Sequence, residues 1–258
     1  MPQTPAGILT GMRSVSPSSP RLVWHGGDGR IELSGRVFDN WVAKSSNLLV
    51  DELDATDGSL VSFDLPVHWK SLALAFACWQ VGALVVLPDT DTDTDTDTDI
   101  VLSSRAAGAV EPPRLLACVA LGSLALRWDG PLPQGAVDFA AEVRSHGDVY
   151  LGQPRDDVGA ALVLAGGRTL TAQDLLASIA LPTGTGPVAS ASDATATAVG
   201  GQDGLTLLLE PGASLGRALA AALAVWDSGG VLVLVENGVP VTDRMLAGER
   251  VTGRLGAT

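Results

Sequence analysis

LVSFDLPVHWKSLALAFACWQVGALVVL, residues 60–87, decides the fold. LVSFDL (60–65) reads as a strand. From His68 to Val81 the chain reads as a helix, apolar nearly all round and therefore buried. Gly82 breaks it, and ALVVL (83–87) follows as a second buried strand. Ser71 to Leu87 is apolar apart from Ser71, Gln80 and Gly82, which puts it at the short limit for a membrane span. The break at Gly82 makes a buried helix and a buried strand the better reading. Two apolar strands joined by a helix predict a parallel pair with a right-handed crossover.

The same alternation runs outward from this unit. Upstream, RLVW (21–24), a GGDG turn and RIEL (30–33) form a hairpin pattern. Ser34 then caps a helix to about Leu53. Downstream, strands are expected at 99–104, 114–121, 158–165, 205–210 and 230–236. Helices are expected at 135–145, from Thr171 to Ala180 with Asp174 as a partial capping box, at 215–226 and near 241–246. A final RVTGRL strand closes the chain. The fold class is α/β, with mostly parallel sheets in repeated strand–helix–strand units covered by helices. Residues 1–20 are expected to be a short lead-in, and 21–258 a single α/β domain.

Two segments interrupt the pattern. DTDTDTDTDTD (89–99) places its aspartates on one side at roughly 7 Å spacing if extended. Such a run is prohibitive in a core, so a solvated loop is expected. As a calcium loop it fails: Thr94 and Ile100 stand where an EF-hand needs Gly and Glu. The Ser/Thr/Ala-rich stretch 183–204 cannot bury enough area to order itself, so a mobile loop is expected.

Composition narrows the function. The formal charge is −13, which disfavours nucleic acid and anionic membrane surfaces. Lys44 and Lys70 are the only lysines, and with abundant alanine and arginine they point to a G+C-rich bacterial gene. Cys78 and Cys118 each sit in an apolar run and read as buried thiols of a reducing cytosol. No zinc spacing, no Gly–Lys phosphate loop, no G-x-S-x-G elbow and no H-E-x-x-H motif occurs. A formal G-x-G-x-x-A at Gly184, Gly186 and Ala189 leaves no strand and opens no helix, so it reads as chance. His25, His68 and His146 are isolated in sequence and read as surface or capping residues. No catalytic residue and no metal site is assigned.

ALVLAGGRTLTAQDLL (161–176) has the layout of a phosphate-binding turn: an apolar strand, two glycines, then a helix. Its context carries a resemblance. RLVWHGGDGRIELSGRVFDNWVAKSSNLLVDEL, the unit at 57–89 and LTLLLEPGASLGRALAAALAVWDSGGVLVLVE together resemble the N-terminal part of the adenylate-forming (AMP-binding, acyl-CoA synthetase-like) superfamily. The chain also resembles a small uncharacterised bacterial group remotely similar to it. The likeness covers most of 20–254 as pattern rather than strict motif.

That resemblance assigns the phosphate loop to Gly166, Gly167, Arg168, Thr169 and Thr171, but in vestigial form. The family's Ser/Thr/Gly-rich section is missing, and Arg168 falls near the place of the family's lysine. The adenine-contacting and ribose-binding segments have no counterpart, nor does the catalytic lysine. The resemblance therefore implies a truncated, cytoplasmic, non-catalytic relative with a binding, regulatory or assembly role. No cofactor is expected, with at most weak binding of ATP, AMP or acyl-CoA. A protein partner or a small hydrophobic ligand is implied. The alternatives are a residual acyl- or nucleotide-related enzyme completed by a partner, and an unrelated α/β protein.

Overall fold

The computed structural model describes residues 4–87, 98–105, 114–152, 160–164, 167–181 and 204–257. The expected features at 89–97 and 183–203 lie outside them, as does Gly166. Helix α1 (Pro5–Ser14) is followed by the hairpin β1 (Pro20–Gly26) and β2 (Gly29–Ser34), then α2 (Gly35–Leu53). The unit that opened the analysis is β3 (Leu60–Asp64), α3 (Trp69–Val81) and β4 (Leu84–Val86). Next come β5 (Ile100–Ser103), β6 (Leu115–Cys118), β7 (Val137–Asp138) and α4 (Phe139–Glu142). β8 (Ala160–Val163), β9 (Thr169–Thr171) and α5 (Ala172–Ala177) follow. The chain ends through β10 (Thr206–Leu209), α6 (Leu215–Asp227), β11 (Val231–Val235), α7 (Asp243–Gly248) and β12 (Gly253–Leu255).

Two sheets result. One has the order β7-β6-β5-β3-β4-β8-β9, the other β12-β10-β11-β1-β2. All pairings are parallel except β1–β2 and β8–β9. Strands β3 and β4 pair in parallel across α3, as do β10 and β11 across α6. The expected mostly parallel α/β architecture is the one observed.

Local chemistry explains the boundaries of α3. His68 is its N-cap, with Nδ1 accepting the Lys70 N–H at 3.1 Å. At the other end Gly82 takes a left-handed φ of 93° and its N–H closes on the carbonyls of Cys78 and Trp79. Every α3 residue from Trp69 to Gln80 is buried, as an all-round apolar helix must be. No helix among the described residues is long and apolar enough to cross a membrane.

One core joins both sheets. Phe38 of α2, Phe76 and Trp79 of α3, and Trp226 of α6 form a chain of ring contacts at 4.7–5.6 Å. Helix α1 adds Ile8, Leu9 and Met12 to this core. Trp41 and Trp128 are only half-buried. The long helix expected at 135–145 is a short strand and a four-residue helix instead. Gly135 holds a left-handed φ of 78°, and Asp138 caps at a later position by accepting the Ala141 N–H.

Gly230 marks a close approach between α6 and the start of β11. A Cβ placed there would stand 2.6 Å from the Leu205 carbonyl oxygen and 2.9 Å from Val225 Cγ1. A backbone oxygen cannot swing aside, so the strand itself must shift. Gly230→Ala is expected to destabilise the protein by about 2–3 kcal/mol in urea unfolding. A change below about 0.5 kcal/mol would show that the approach is looser than described.

Candidate functional site

The carboxyl ends of five parallel strands converge on one cleft. Strand β1 runs out into Gly27 and Asp28, β3 into Leu65–His68, and β6 leads to Leu121 and Gly122. Strand β10 leads to Glu210–Ala213, and β11 to Glu236 and Asn237. These residues, with Trp24, Leu209, Leu215, Leu234 and Val235, enclose a cavity of about 590 Å³. Open α/β sheets bind ligands beyond the carboxyl ends of their strands. The cavity has the size of a small-molecule site, and its lining mixes polar and apolar groups.

Its polar side chains are Asp28, His68, Glu210, Glu236 and Asn237. His68 is only 4% exposed. Burial, then the charge of Lys70, pushes its pKa down to about 3, so the ring is neutral at pH 7. Because Nδ1 accepts a backbone N–H, the proton sits on Nε2. The imidazole also packs edge-on against Trp24, with centroids 4.6 Å apart.

Asp28 Oδ2 accepts the Ser123 N–H at 2.7 Å, which holds the carboxyl below its usual range. Glu236 Oε2 accepts the Gly27 N–H at 2.6 Å. Glu210 is ion-paired with Arg254 at 2.5 Å. Lys70 stands behind the wall. Its ammonium donates to the carbonyls of Ala120 and Gly122 at 2.6 and 3.0 Å, and burial lowers its pKa to about 8.

The glycine turn of the sequence analysis lies elsewhere. It closes an antiparallel hairpin, with Val163 paired to Thr169 and Ala160 to Thr171. The strand β9 stands between the turn and the helix, so the turn does not open α5 directly. Gly167 has a left-handed φ of 79° and its N–H bonds the Leu164 carbonyl at 3.0 Å. Thr171 is the N-cap of α5 in a complete capping box with Asp174. Its hydroxyl donates to Asp174 Oδ2 at 2.7 Å and accepts the Asp174 N–H at 3.1 Å. Arg168 and Thr169 are exposed. None of these four residues lines the cleft.

The remaining sequence candidates are accounted for locally. His25 Nε2 meets Glu249 Oε1 at 2.8 Å, and His146 Nδ1 lies 3.4 Å from Asp51 Oδ2. Cys78 and Cys118 are free, buried thiols, and burial raises both pKa values. Among the described residues no group of three or more His, Cys, Asp or Glu is placed to hold a metal.

Sequence reasoning missed the cleft's polar residues. Asp28, His68, Glu210 and Glu236 form no motif, because each comes from a different unit. The available signal was positional: each lies within four residues of the end of a strand.

The two-sheet arrangement matches the fold of the N-terminal domains of acyl-CoA synthetases and other adenylate-forming enzymes. Similar solved structures are acyl-CoA synthetases and other enzymes of that class. A Brucella canis acyl-CoA synthetase superposes with a TM-score of 0.65 at 16% identity, over 95% of this chain and 45% of that one. Coronafacic acid ligase from Pectobacterium brasiliense gives 0.66 at 10% identity, over 98% and 50%. At these identities the likeness is one of fold. By sequence the chain is similar to a TIGR03089 family protein of Mycobacterium tuberculosis, 36% identical over 158 residues, 57% of this chain and 62% of that protein. No family model matches the chain. The chain thus spans less than two thirds of its sequence relative and about half of each of these two enzymes.

Proposed function

We propose that this protein is a non-catalytic binding protein on an adenylate-forming scaffold. Its ligand is a small, partly apolar molecule held in the cleft at the carboxyl ends of the strands. The observation that carries this reading is the cleft itself: about 590 Å³, walled by the ends of strands from both sheets. Two further facts support the non-catalytic part. The Gly167 N–H and the Thr171 hydroxyl already bond within the chain. The carboxylates of Asp28 and Glu236 on the cleft wall repel a polyphosphate.

The test is a thermal-shift and calorimetric titration of the full chain. The probes are ATP with Mg²⁺, acyl-CoA and a panel of small, partly apolar compounds. Members of the panel are expected to bind with micromolar Kd and, at a hundredfold excess over Kd, to add about 2.7 kcal/mol of stability. That corresponds to a rise in Tm of about 5–10 °C. Ala213→Trp, which fills the cleft, should abolish the shift. ATP should bind no tighter than millimolar. Micromolar ATP binding, or pyrophosphate exchange lost in Arg168→Ala, would replace this reading with that of an enzyme.

A further inference from the structure

The polar groups of the cleft bear on what kind of ligand enters it. The point where a Cβ would stand on Gly26 is 2.7 Å from Trp24 Nε1, 2.9 Å from Asp28 Oδ1 and 3.2 Å from Glu236 Oε2. Two carboxylates therefore stand side by side at the mouth of β1. Each takes one backbone N–H, and neither is ion-paired among the described residues. Glu210, by contrast, has Arg254, and the Lys70 ammonium is held by two carbonyls behind the wall.

His68 is a second, independent sign of a ligand. Its side chain lines the cavity and the residue is 4% exposed. Its recorded hydrogen bond uses Nδ1, and Nε2–H meets no partner among the described residues. The Nε2–H is not sealed off from water, and it is free to donate to an acceptor that arrives with the ligand. Beside these groups the wall is apolar, with Trp24, Leu65, Leu121 and Leu234.

We propose that the cleft selects a small organic cation, a primary amine on an apolar body that also carries a neutral oxygen. The ammonium sits between Asp28 and Glu236, and the oxygen accepts from His68 Nε2–H. Carboxylic acids and phosphates are discriminated against by the same two carboxylates. This inference rests on the cleft being a ligand site, as proposed above.

Calorimetry of the full chain at pH 7 tests it with three probes sharing one hexyl chain: aminohexanol, hexanediol and hydroxyhexanoate. The amine is expected to bind at least tenfold more tightly than either of the others, a difference of about 1.4 kcal/mol. Glu236→Gln and Asp28→Asn should each cut that ratio below about threefold. In the unaltered protein the ratio should also shrink as salt is raised from 50 to about 500 mM. Equal or tighter binding of the diol or the hydroxy acid overturns the inference and leaves the cleft reading standing. Binding by none of the three, together with no effect of Ala213→Trp on any small ligand, overturns both.

Discussion

Phe76→Ala is expected to lower stability by about 3–5 kcal/mol, enough to leave little of the stability typical of a single domain. Phe76 is fully buried. Its ring meets Phe38 of α2, Trp79 of its own helix and Trp226 of α6. Those helices belong to different layers: α3 crosses between strands of the seven-stranded sheet, and α6 between strands of the five-stranded one. The benzyl group is thus a tie between the sheets, and its loss opens a cavity where they meet. Tm should fall by about 6–20 °C. Far-ultraviolet circular dichroism and tryptophan fluorescence should change together in the unaltered protein, since one core serves both sheets. Two well-separated transitions would show that the sheets unfold independently.

The second large effect is a pH dependence centred on His68. Its folded pKa is about 3, against an ordinary value of 6.5. Between those values the unfolded chain binds a proton at this site that the folded chain refuses. Stability is therefore complete above about pH 6.5 and is lost as pH falls toward 3. By pH 4 this one group should remove about 3 kcal/mol. His68→Asn keeps a side-chain oxygen to accept the Lys70 N–H at the helix cap but does not titrate. The variant should therefore lose less stability than the unaltered protein between pH 7 and pH 4, by about 3 kcal/mol in urea unfolding. Asp28 and Glu249, whose carboxyls are held low by Ser123 and Arg30 respectively, also weaken the fold in acid. Glu249 does so equally in both proteins, while Asp28, whose carboxyl the His68 charge also holds down, does so slightly less in the variant. Parallel pH curves for the two proteins would mean that His68 is not buried as described.

How far the sequence could be read follows from the length of the patterns involved. The β3–α3–β4 unit was legible because a thirteen-residue helix, apolar at all but Lys70, Ser71 and Gln80, and two apolar strands leave one arrangement that buries them all. The antiparallel β8–β9 hairpin was not. Strand β9 has three residues, too few to show a period of two, and Thr171 is both its last residue and the cap of α5. The helix-cap signal masked the strand signal. At 135–145 the alternating apolar residues resembled a helix, while Gly135 and the Asp138 cap set its real start. The cleft was invisible for a different reason. Asp28, His68, Glu210 and Glu236 are brought together by sheet order, and sheet order is not written in any local pattern.

The pairing of β1 with β11 has a consequence for synthesis. Leu22 lies beside Leu232 and Trp24 beside Leu234, so β1 meets its inner neighbour only after roughly 200 further residues have been made. At translation speeds of about 5–20 residues per second, that apolar edge waits roughly 10–40 s for its partner. Until then the nascent hairpin presents unpaired backbone groups and the side chains of Leu22, Val23 and Trp24 to whatever is near. Synthesis of β11, rather than initial collapse, sets when this sheet closes, and holdase chaperones have that interval in which to act.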